Sequence, residues 1–157
     1  MHKPEAAPAP RPPVKVAVTV ESRGGGQRTA YRTQGDWYDK GDRSFIRYAE
    51  PAKEYGRTTT IVNIGPASVK ILRQGDIRSD MTFVQGELRI GYYETAQGRM
   101  ELAVRTRSVR DTWSSARTGS AARVRRGAVE LAYDLEVAGE RAGTYHVKLT
   151  IQEELSS

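Results

Sequence analysis

The chain contains no cysteine and only two histidines. Disulfides and thiolate metal sites are therefore excluded, and a secreted disulfide scaffold is impossible. With only His2 and His146 available, neither a histidine-rich metal cluster nor a histidine-based nucleophilic triad can be assembled. No stretch approaches the roughly 18 consecutive apolar residues that a membrane-spanning helix requires. Met1-His2-Lys3-Pro4-Glu5 leads into alanine and proline rather than an apolar segment, so no secretory signal is read. The expectation is a soluble, cytoplasmic protein without cofactor or metal. At 157 residues it is long enough to bury one core without staples.

Charge is unevenly placed. Arg105, Arg107, Arg110, Arg117, Arg123, Arg125 and Arg126 fall in one stretch with a single acid, Asp111. That stretch accounts for the whole formal charge of +6, because the remaining 18 basic and 18 acidic residues cancel. The first 13 residues hold five of the seven prolines among alanines. Such a composition favours extended, unpacked backbone, and residues 1–13 read as a disordered tail. Pro10-Arg11-Pro12-Pro13 has the look of a proline-motif ligand, although such stretches are common at termini.

What remains is dominated by alternation. Val129, Leu131, Tyr133, Leu135 and Val137 alternate with Glu130, Ala132, Asp134 and Glu136, and Tyr145, Val147, Leu149 and Ile151 alternate with His146, Lys148, Thr150 and Gln152. A period of two marks strands with one dry and one wet face. The polar, glycine-bearing connection 138–143 makes the two an antiparallel hairpin. Val14, Val16, Val18 and Val20 share a face upstream, and Gly24-Gly25-Gly26 is followed by neither a helix nor Lys-Ser/Thr, so it is a hairpin turn rather than a phosphate loop. Asp36, Asp39 and Asp42 lack a calcium-loop pattern and read as turn caps. Further strands are expected near 28–38, 44–50, 57–64, 67–73, 77–84, 88–95 and 100–109, with 110–126 as a long loop. Short connections place successive strands side by side, and about eight to ten twisted strands close on themselves. The expected fold is all-β: a single antiparallel up-and-down β-barrel over 14–154.

The order and spacing of Tyr48-Ala49-Glu50, Thr58 through Ile61, Val69 through Gly75, Met81-Thr82-Phe83 with Gly86, Tyr93-Glu94-Thr95 with Gly98, and Tyr133-Asp134-Leu135 resemble the YwiB-like family. These are small bacterial proteins of uncharacterised function, and the resemblance runs from Val14 to about Glu153. It implies a calycin-like, lipocalin-like barrel and a domain of unknown function, and supplies no catalytic residues. The proline-rich tail and the length of the arginine stretch depart from the family's pattern.

One constellation carries chemistry. Ile46, Tyr48 and Glu50 share a face, as do Val69, Ile71 and Arg73. If the apolar members face inward, Glu50 and Arg73 do as well, and an inward charge is costly unless paired. Tyr31 and Tyr92, the latter with Leu88 and Ile90, would bring hydroxyls to the same interior. The set Tyr31, Tyr48, Glu50, Arg73 and Tyr92 reads either as a pocket for the polar group of a small apolar or amphipathic ligand, or as a structural ion pair closing a packed barrel. No spacing of carboxylates points to acid–base catalysis, so a non-enzymatic binding module is expected. The second reading is nucleic-acid or acidic-partner binding by Arg117, Arg123, Arg125 and Arg126, with Trp113 as a stacking surface.

Overall fold

The computed structural model describes residues 13–118 and 122–154. The tail assignment therefore falls outside the described residues, apart from Pro13. Ten strands follow in chain order: β1 (Val14–Gly24), β2 (Gln27–Asp39), β3 (Ser44–Ala49), β4 (Thr58–Ile64), β5 (Val69–Gly75), β6 (Arg78–Phe83), β7 (Leu88–Thr95), β8 (Gly98–Thr118), β9 (Ala122–Val137) and β10 (Glu140–Glu153). A single helical turn, α1 (Ala52–Tyr55), lies between β3 and β4. Every strand pairs antiparallel with its neighbours in sequence, and β1 pairs with β10 to close the barrel. Closure pairs β1 with β10 and so removes the two edges that an open ten-strand sheet would present.

Local chemistry explains the turns. Gly25 and Gly26 both have positive φ, 59° and 79°, and join β1 to β2 as a two-residue connection. Paired left-handed residues match the twist of a hairpin, and glycine adopts them without steric cost. Ala138 and Gly139 do the same between β9 and β10, at 52° and 83°. That connection is shorter than the six residues expected; β10 begins at Glu140 and absorbs the difference in an irregularity between Arg141 and Gly143. Asp39 accepts a hydrogen bond from the Gly41 amide, the turn cap expected of it.

The alternating residues build the core. Val16, Val18, Val20, Val129, Leu131, Tyr133, Leu149 and Ile151 are buried, while Leu135 and Val147 are partly buried against them. Around the barrel the pairing brings Trp37, Ile46, Val62, Ile71 and Met81 into one inward-facing apolar rung.

Residues 110–118 and 122–126 are strand and not the loop expected of them. β8 continues to Thr118 and β9 starts at Ala122, in register through Thr118 opposite Ala122. Serine, threonine and arginine suggest a loop by composition, but a strand pair needs only backbone donors and acceptors. Here each strand is already aligned by its apolar half.

Candidate functional site

The rung adjacent to the apolar one, toward α1, is polar. Cross-strand pairing runs Gly35, Tyr48, Thr60, Arg73, Ser79, Tyr93 around half the barrel wall. Glu50 follows the last residue of β3 and enters the interior above this rung. Its amide bonds the Thr58 carbonyl at 2.9 Å, which pins the chain where it leaves the sheet for α1. The Thr58 hydroxyl bonds the Tyr55 carbonyl at 2.6 Å and accepts from the Ile77 amide at 3.3 Å, tying α1 to the mouth of the barrel.

The Glu50 side chain is fully buried. Its Oε1 accepts a short hydrogen bond from the Thr60 hydroxyl, and its Oε2 accepts from the Tyr31 hydroxyl at 2.6 Å. Arg73 Nε stands 3.5 Å from Oε1, so the two residues form the interior ion pair to which the alternation pointed. The two partners are not equivalent. Arg73 keeps 22% of its side-chain exposure, its Nη1 reaches only the Ser79 hydroxyl at 3.5 Å, and its buried Nε has no hydrogen-bond partner among the described residues. Its guanidinium lies over the Tyr55 ring, 5.4 Å from the centroid. The carboxylate is fully satisfied by the protein, whereas the guanidinium retains donors to spare.

Electrostatics follow the burial. Burial, reinforced by Tyr48 and Glu50, drives the Tyr31 hydroxyl far above the ordinary phenol value. Burial and the Glu50 charge do the same to Tyr48. Tyr133 is pushed up to about 12 by burial, against the opposing pull of Arg73. Burial opposes the charge on Arg73, but Glu50 and the surrounding tyrosines outweigh it and hold its pKa above the usual arginine value. The site thus combines the Glu50–Arg73 pair with tyrosine hydroxyls held in their neutral form, able to donate or accept. Tyr133 closes the far side, stacked on Tyr145 at 5.7 Å and edge-on to Phe83 at 4.8 Å.

Tyr31, Tyr48, Glu50 and Arg73 therefore converge, but Tyr92 does not join them. β7 faces the opposite way from expectation: Leu88 is 48% and Ile90 60% exposed, and Tyr92 lies outside beneath Arg99, whose guanidinium is 3.9 Å from its ring centroid. Tyr93 packs on the core instead. The cause is Gly91, on the Tyr93 face, where a Cβ would run into the Asp80 carbonyl oxygen. Thr60 and Ser79, both essentially inaccessible, were missed because nothing in Thr58-Thr59-Thr60 or Ser79 signals which hydroxyl points inward.

The arginine stretch is dispersed. Arg107 bonds Asp134 at 3.0 Å, and Arg125 lies 3.8 Å from Asp39 and 5.4 Å from the centroid of Trp37. Arg126 is exposed on the outer face, while Arg117 and Arg123 are cross-strand partners near the hairpin tip.

Comparison with known proteins agrees with this architecture. Residues 14–149 match the family described as a domain of unknown function, DUF1934. The chain is 25% identical over 137 residues to the uncharacterized beta-barrel protein YwiB of Bacillus subtilis (strain 168), covering 87% of this chain and 89% of that one. Its fold is similar to the crystal structure of ywiB protein from Bacillus subtilis, with a TM-score of 0.70 and 23% identity over 91% of this chain and 92% of that chain.

Proposed function

The chain belongs to the DUF1934 family, and for its barrel we propose a non-enzymatic binding role in which the α1 end takes the acidic head group of a small amphipathic ligand. The observation that carries this reading is the asymmetry of the buried pair. Glu50 is satisfied by Thr60 and Tyr31, while the Arg73 side chain remains 22% exposed and its Nη1 makes one long contact, to the Ser79 hydroxyl. A guanidinium held in place by a carboxylate behind it, with aromatic rings beside it, is suited to bidentate recognition of a carboxylate or sulfonate. Tyr55 and Tyr133 supply the apolar flank for the ligand's body. Barrels of about eight strands are filled by their own side chains or hold one small ligand, so the occupant expected here is modest in size.

The test uses anilinonaphthalene sulfonate as a fluorescent probe and laurate as competitor. Wild type is expected to bind the dye and release it to laurate. Arg73→Met is expected to lose at least about tenfold in affinity, the loss of one charge-assisted contact. Absence of laurate competition, or unchanged affinity in the variant, would refute the reading. The polyanion reading gains no support, since Arg107 and Arg125 are already engaged with acids of the protein.

A further inference from the structure

A second recess lies on the outer wall. It is a cleft of about 660 Å³ across β2, β1, β10, β9 and β8. Alternation places Val20 and Leu149 inside, so Glu21, Arg23, His146 and Lys148 stand outside. Cross-strand pairing arranges the outer side chains in two rows. One runs Arg28, Arg23, His146, Ala132, Ser108; the other runs Ala30, Glu21, Lys148, Glu130, Arg110.

The rows differ in electrostatic character. In the second, Glu21, Lys148, Glu130 and Arg110 alternate in sign from strand to strand, so the row carries no net charge. In the first, Arg23 is directly opposite Arg28 and flanked by His146, with no acid in the row. Among the described residues Arg23, Arg28 and His146 have no side-chain ion-pair or hydrogen-bond partner. Like charges directly opposite one another destabilise a sheet, and an anion bridging them removes that penalty. Ala30, Ala132 and Ser108 keep the floor low between the long charged side chains.

From this arrangement we infer that the outer cleft is a binding site for a small phosphate monoester with a hydroxylated body. The adjacent guanidinium groups of Arg23 and Arg28 present paired donor forks to the phosphate oxygens. Glu21 and Glu130, in the neighbouring row, accept hydrogen bonds from the ligand's hydroxyls, and Lys148 between them donates. The volume lies within the range of small-molecule sites, about 300–1,000 Å³. The net positive charge of the Arg23, Arg28 and His146 row separates this ligand class from the one proposed for the barrel mouth.

Isothermal titration of the full chain with ribose 5-phosphate tests the assignment, with ribose, inorganic phosphate and oligouridylate as comparators. Ribose 5-phosphate is expected to bind more tightly than either ribose or phosphate. The double variant Arg23→Ser/Arg28→Ser should lose about a hundredfold, roughly tenfold for each charge-assisted contact, with a melting temperature no lower than that of the unliganded wild type. The double variant Glu21→Gln/Glu130→Gln should weaken ribose 5-phosphate several-fold while leaving phosphate binding unchanged. Arg89→Ser, outside the cleft, should bind as wild type does, and so should laurate compete with the dye as before in the Arg23/Arg28 variant. Failure of ribose 5-phosphate to bind, or indifference to the Arg23/Arg28 change, would overturn the site. Equal affinity for inorganic phosphate would overturn the hydroxylated-ligand assignment. Tighter binding of oligouridylate, with a salt dependence of several released counterions, would replace the small ligand with a nucleic-acid backbone.

Discussion

Replacing Arg73 with methionine removes the cation from a carboxylate with no solvent access. Glu50 keeps the Thr60 and Tyr31 hydroxyls as donors, but its charge becomes uncompensated. Breaking a buried pair from one side typically costs about 3–5 kcal/mol, and the two remaining hydroxyls place this case near the lower end. Glu50→Leu costs less on the charge side, because Arg73 retains 22% exposure and can reach water. It instead strands the Thr60 hydroxyl, which is fully buried, at about 1–3 kcal/mol. In the double variant Glu50→Leu/Arg73→Met no charge remains and only the stranded hydroxyls contribute, again about 1–3 kcal/mol. The double variant should therefore be more stable than Arg73→Met alone, although it carries one more substitution. Urea unfolding followed by tryptophan fluorescence is a suitable assay, since Trp37 is buried in the adjacent apolar rung. Strict additivity of the two single changes, or an Arg73→Met variant as stable as wild type, would refute the claim that the pair is coupled.

Raising the pH should destabilise the barrel. Tyr31, Tyr48 and Tyr133 all titrate above their ordinary values, so the unfolded chain releases these protons first. Stability should be intact below the usual phenol value of 10.0 and fall as pH climbs through about 12, the range set by Tyr133, with phenolate absorbance appearing together with unfolding. Gly91→Ala should cost about 1–3 kcal/mol by urea melts, because the added methyl meets the Asp80 carbonyl across a β6–β7 seam only three residue pairs long. A neutral effect would show that the seam can open without loss. Leu131→Ala removes a fully packed side chain from β9 and should cost about 2–5 kcal/mol, with a correspondingly lower melting temperature.

Alternation in the sequence was sufficient to place ten strands and, through the short turns between them, the antiparallel meander, and closure followed from the number of twisted strands. It was also sufficient to bring Glu50 and Arg73 together, since each continues an apolar face whose other members are unmistakable. β7 shows where that reasoning stops. A period of two says that Leu88, Ile90 and Tyr92 share a face, but not which face is turned inward. The Asp80 backbone decides that, by admitting only a glycine at position 91 on the inner side. The arginine stretch stops it for a different reason. Its polar residues carry no period in the sequence, yet β8 and β9 continue as a ladder there, because backbone pairing already registered by Val104, Leu131 and Val129 needs only main-chain donors and acceptors to extend. The polar rung is likewise a product of register alone. Tyr48, Thr60, Arg73 and Ser79 lie far apart in sequence, and only the pairing of four strands sets them side by side in the rung that holds the Glu50–Arg73 pair.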